Sequence, residues 1–155
     1  MSTKEKMFET VLSGLMPSEW LGWFEVEDIE NKRKEWRIKL VEKVEEVPKE
    51  IKMQDFNLNG YCNPIELMTF PLQGKPVYIE VIRRRWVLKG SKDSICNEYD
   101  LHYAGIKATK PFADFLKELD RDALDEFLSA WPMYRRVWEK DTSLVSRLFK
   151  WISRG

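Results

Sequence analysis

The run Val77-Tyr78-Ile79-Glu80-Val81-Ile82, followed at once by Arg83-Arg84-Arg85-Trp86, constrains this chain more than any other feature. Apolar residues occupy both parities of the run, so it reads as a buried strand covered on both faces. Three guanidiniums then close it. On a regular strand Arg83 and Arg85 point one way and Arg84 the other. Either a bulge turns them together or they straddle a sheet edge.

The residues before this run supply its partner. Ile65 to Phe70 is predicted as a strand, Pro71-Leu72-Gln73-Gly74-Lys75 as the turn, and Val77 to Leu88 as one long return strand. Gly74 offers the positive φ that such turns need. An earlier hairpin is legible in the same way. Phe24 and Val26 alternate with Glu25 and Glu27, and Trp36, Ile38 and Leu40 alternate with Arg37, Lys39 and Val41. Glu30 to Lys34 is the loop between them. The polar, aperiodic stretch from Glu45 to Asn63 reads as a long loop, and Ile95 to Tyr103 as a further strand after the loop Lys89 to Ser94.

Helices flank these strands. Thr3 to Met16 places Met7, Phe8, Val11, Leu12 and Leu15 on one stripe, with Pro17 ending the helix. Thr109 is a cap for a helix containing Phe112, Phe115, Leu116 and Leu119. Asp120 caps the next, with Leu124, Phe127, Leu128 and Trp131 inward and Pro132 as its stop. Asp141 or Thr142 starts a last helix bearing Leu144, Leu148, Trp151 and Ile152. The class predicted is α+β: an N-terminal helix, an antiparallel sheet of two hairpins plus one strand, then a small helical cluster. Residues 1–104 form the sheet domain and 105–155 a helical segment packed on it, with a helix-turn-helix-like arrangement possible for its short capped helices.

An apolar content of 43% in 155 residues supports a real core, and seven tryptophans suggest that some lie at a covered surface. Net charge is zero, yet its distribution is uneven. Between Lys75 and Lys92 the bases Lys75, Arg83, Arg84, Arg85, Lys89 and Lys92 face Glu80 alone. Met133 onward carries a second basic group, Arg135, Arg136, Lys140, Arg147, Lys150 and Arg154, against Glu139 and Asp141. Local asymmetry of this kind suits phosphate contact. A solvated face, or pairing with the acidic loops of the first hairpin, accounts for it equally. No signal core or membrane-length apolar run is present, so a cytoplasmic protein without a membrane partner is expected.

Enzyme chemistry finds little footing. His102 is the only histidine, no nucleophile elbow or phosphate loop occurs, and Cys62 and Cys96 stand far apart without nearby partners. They read as inert thiols, neither a disulfide framework nor zinc ligands. No catalytic residue, metal or cofactor is expected. Trp86, beside the guanidiniums, offers a ring for stacking on bases or sugars.

The string from Phe70 to Trp86 resembles the N-terminal region of bacterial insertion-sequence transposases, in which such a hairpin precedes a helix-turn-helix. Leu21 to Asp28 is similar to that family's opening strand, and Gly105 to Lys110 with Phe112 to Leu119 to the start of its first following helix. The likeness runs from about Leu21 to about Leu119. It implies recognition of element ends as double-stranded DNA, with the catalytic carboxylates in a separate chain from an adjacent reading frame. Related transposases carry zinc-ribbon cysteine pairs around the hairpin, whereas here only Cys62 and Cys96 remain, so their metal is not carried over. The family's aspartate before the hairpin proline is also replaced, at Thr69-Phe70.

The resulting expectation is a non-enzymatic accessory DNA-binding protein of a transposase. Lys75, Arg83, Arg84, Arg85, Trp86, Lys89, Lys92, Lys107 and Lys110 are the candidate DNA-binding residues. The alternative is a module that docks a catalytic partner through Trp131, Trp138 and Trp151 without touching DNA.

Overall fold

The computed structural model describes residues 2–51, 53–132 and 134. Ser2 and Glu5 cap each other reciprocally and start helix α1 (Thr3–Leu12). The helix ends four residues before Met16, and its stripe does not face inward as expected. Leu12 is buried, whereas Met7 and Val11 are 64% and 70% exposed and Phe8 is also open. Glu5, Phe8 and Glu9 line a groove with Leu21, Phe24 and Val26, while the buried contact of α1 is concentrated at its C-terminal end. There Leu12, Met16 and Trp20 enter the core, and Thr69 Oγ1 donates to the Leu15 carbonyl at 2.6 Å. One turn of helix, α2 (Trp20–Trp23), then leads into the strands.

Four strands form the first sheet, in the order β1 (Phe24–Asn31), β2 (Trp36–Glu42), β5 (Lys75–Ile82), β4 (Ile65–Leu72). Both expected hairpins are present, β1–β2 and β4–β5, each antiparallel. The tight turn Gln73-Gly74 has φ of 50° and 76°, the left-handed pair that matches strand twist. What joins the hairpins is a parallel pairing of β2 with β5, with Trp36 opposite Val77 and Val41 opposite Ile82. Strand β5 is therefore central. Its Val77, Ile79 and Val81 belong to a core with Leu12, Trp20, Phe24, Ile38, Leu40 and Leu67. Tyr78 packs against a second core built from Met68, Phe112, Leu116, Leu124, Leu128 and Tyr134. Apolar residues of both parities are thus accounted for by a sheet with two covered faces.

The second sheet corrects three sequence expectations. The return strand is not continuous to Leu88: it breaks at Arg83, and β6 (Arg84–Leu88) pairs elsewhere. Its partner β3 (Phe56–Tyr61) lies within the stretch read as a loop. Because β3 is exposed along nearly its whole length, it carries no alternation to reveal it. The strand expected from Ile95 to Tyr103 shrinks to β7 (Ser94–Ile95), completing the order β3-β6-β7. Cys62 and Cys96 are joined in a disulfide with their Cα atoms 6.6 Å apart. The reading of two independent thiols is thereby overturned: the fold brings together what 34 residues of chain separate.

Helices α3 (Lys110–Glu118) and α4 (Arg121–Ala130) begin at Thr109 and Asp120, as their side chains predict. Asp120 Oδ1 accepts the Ala123 amide at 2.8 Å. Thr109 caps α3, bonds the Thr69 hydroxyl at 3.1 Å, and donates its own amide to the Met68 carbonyl. The helical layer is thereby tied to the edge of β4. Trp131 packs among Phe127 and Tyr134. The class is α+β. Trp138, Trp151 and the last expected helix lie outside the described residues.

Candidate nucleic-acid interface

Arg83 stands at the corner where the chain leaves one sheet for the other. Its Nη1 donates to the Asn97 carbonyl at 3.0 Å and pairs with Glu98 Oε1 at 3.3 Å, and its side chain is only 12% exposed. Arg84 Nε donates to the Glu42 carbonyl at 2.9 Å, with the guanidinium 5.8 Å from the centre of the Tyr61 ring. Arg85 Nε donates to the Asn59 carbonyl at 2.7 Å. One of the three arginines is therefore ion-paired. The other two are oriented by neutral carbonyl oxygens and have no ion pair among the described residues.

A bulge in β3 makes room for this. Leu58 pairs with Trp86 and Tyr61 with Arg84, so β3 holds one residue more than β6 over that interval. Gly60 occupies it with φ +71°, and a Cβ there would lie 3.4 Å from Arg85 Nη2. The bulge sits on the partner strand, not on the arginine strand where the sequence suggested it. Trp86 follows Arg84 in parity but is 3% exposed, so it packs inward and has no ring face open for stacking. Tyr61, 53% exposed under Arg84, is the aromatic that reaches solvent.

The corner is organised by Glu42, a buried carboxylate at the end of β2. Its Oε1 accepts the Arg84 amide at 3.0 Å, and its Oε2 accepts Asn97 Nδ2 at 3.1 Å and the Tyr99 hydroxyl. Burial, and then the bond to Glu42, hold the Tyr99 phenol well above its ordinary range. Glu42 continues the inward parity of Ile38 and Leu40, which was the signal in the sequence that it would be buried.

No known family, curated protein or solved structure matches this chain.

The remaining sequence-predicted residues fall in three places. Lys89 and Lys92 are exposed on the turn after β6, at the far end of the strand that begins with Arg84 and Arg85. Lys75 lies at the other end of β5, donating to Asn31 Oδ1 and, at 2.8 Å, to the Lys32 carbonyl. Lys107 and Lys110 flank the start of α3, where Lys110 pairs with Asp100 at 2.6 Å and covers the Tyr103 ring. The nine residues thus do not converge. Only Arg84, Arg85, Lys89 and Lys92 share a continuous segment, which from Arg84 to Ile95 holds four bases against Asp93 alone. Strand β3 beside it, Phe56 to Tyr61, contains no charged residue at all.

Proposed function

We propose that this chain is the DNA-binding accessory region of an insertion-sequence transposase whose catalytic chemistry resides in a separate chain. The observation that carries this reading is the β3–β6 sheet: Arg84 and Arg85 are held by carbonyls, with exposed Tyr61 under Arg84, and the turn that follows bears Lys89 and Lys92, which have no ion pair among the described residues. Cations fixed in place but left unneutralised are poised for phosphate oxygens, and a guanidinium over a tyrosine suits a sugar–phosphate backbone. The sequence resemblance of the Phe70–Trp86 hairpin to transposase N-terminal regions supports the same class.

Titrating duplex DNA at several salt concentrations tests the reading. Arg84, Arg85, Lys89 and Lys92 by themselves correspond to a log–log slope of about −3.5, from roughly 0.9 per phosphate neutralised. A slope near zero, or no binding at low salt, overturns it.

The outward face of α1 favours a second reading, in which the chain docks a catalytic partner. Met7 and Val11 are 64% and 70% exposed and Phe8 46%, an apolar face left open within the described residues. Association with the product of an adjacent reading frame that persists at high salt and weakens in Val11→Lys supports that reading.

A further inference from the structure

At the end of the first sheet opposite the arginine corner, two hairpin turns lie side by side. Asn31 pairs with Trp36 across the first turn, and Leu72 with Lys75 across the second. Because β2 and β5 run parallel with Trp36 opposite Val77, both turns project from the same edge. The first carries Lys32-Arg33-Lys34 and the second delivers Lys75.

The local acids are already engaged. Glu35 lies 3.2 Å from Arg37 Nε, and Glu66 bonds Arg37 Nη1 at 2.7 Å, so a single arginine one step back from the turn takes up both carboxylates. That hydrogen bond to Glu66 is the main reason the Arg37 guanidinium holds its proton more tightly than usual. Glu30 alone remains, 3.7 Å from Lys32 with both side chains about half exposed, a weak pair in water. Arg33 and Lys34 have no acidic partner among the described residues. Lys75 donates to two neutral oxygens of the neighbouring hairpin and lies 5.4 Å from the centre of the Trp36 ring. It ties the two turns together without losing its charge.

We propose that this rim, Lys32, Arg33, Lys34 and Lys75, is a second contact for the sugar–phosphate backbone of nucleic acid, distinct from the Arg84–Lys92 segment. The proposal rests on the DNA-binding reading and extends it. Seven residue steps of β5 separate Lys75 from Ile82, roughly 23 Å at strand rise, or about seven base pairs of duplex. A short duplex therefore reaches one contact at a time and a longer one can reach both.

The experiment uses the whole chain and a labelled duplex of about 20 base pairs, at 3.4 Å each long enough for both contacts. Wild type is compared with the triple variant Lys32→Ala, Arg33→Ala, Lys34→Ala, and with Lys4→Ala, Lys6→Ala in α1 as a control for net charge. Lys75 is left intact because it braces the turns. With three phosphate contacts removed, the salt slope should become shallower by about 2.7. Between 50 and 200 mM salt the wild type should then lose roughly forty-fold more affinity than the triple variant. The α1 control should keep the wild-type slope. If wild type binds and the triple variant keeps its slope, or the control loses as much, the rim is no contact and the broader reading stands. If wild type does not bind duplex, both fall. Thermal unfolding of the triple variant near the wild-type midpoint confirms that exposed side chains alone were removed.

Discussion

A carboxylate buried at the end of a strand survives only if donors surround it, and Glu42 has three. Replacing it with alanine leaves the Tyr99 hydroxyl, the Asn97 amide and the Arg84 N–H facing a void. Glu42→Ala should therefore cost about 3 kcal/mol, read as a lowered urea midpoint, since each unsatisfied buried group costs about 1–3 kcal/mol and some will find water. Glu42→Gln, which keeps one acceptor, should lose less. At this scale the sequence was partly legible. The cluster Arg83-Arg84-Arg85 stood out in the sequence, but whether carboxylates or carbonyls would meet each one depended on Asn97 and Glu98, Glu42 and Asn59, all distant in the chain. Trp86 shows the same limit: an aromatic after three arginines looks like a stacking ring, and pairing with β3 and β7 buried it instead.

Helix caps and hairpins, set by contiguous residues, were read correctly, whereas the buried face of α1 and the strands defined by their neighbours were not. Capping needs only a few contiguous residues, so Thr109 and Asp120 marked the starts of α3 and α4. Hairpins likewise announce themselves through alternation and a turn. Strand β3 has neither signal, and β7 is two residues held by pairing with Trp86 and Val87. The bond between Cys62 and Cys96 clamps this weak sheet, because Cys96 adjoins Asn97 and Glu98, which hold Arg83 and Glu42. By loop-closure entropy, a bridge over 34 residues stabilises the chain by roughly 3–4 kcal/mol. Reduction with a dithiol should lower the unfolding free energy by that order. Amide exchange should accelerate first at Ser94 to Glu98 and later at β5. Uniform acceleration would mean that the bridge is not a local clamp.

Over the whole molecule, the interior carries tyrosine hydroxyls that tie its layers. Tyr134 donates to the Thr69 carbonyl at 2.9 Å, joining the helical layer to β4, and Tyr99 bonds Glu42. Burial is the first cause that raises both phenols, and Tyr78 moves the same way for the same reason. The folded protein therefore keeps protons that an unfolded tyrosine releases near pH 10, so it binds more protons above that pH. Stability from this source is complete below about pH 10 and declines as pH rises further. Urea midpoints measured near pH 8 and near pH 11 should show the loss. The double variant Tyr99→Phe, Tyr134→Phe should start lower and decline less steeply.

Local order was written in the chain itself: the two-sided apolar run, both hairpins and two helix caps arise from residues within a few positions of one another, where sterics and periodicity act directly. Tertiary structure decided the rest. Parallel pairing of β2 with β5 set the two basic turns together, the break at Arg83 sent the three guanidiniums to separate sets of acceptors, and the disulfide joined two lone thiols. Each of these depends on distant segments competing for one set of hydrogen-bonding edges and one core, a contest that no window of sequence contains.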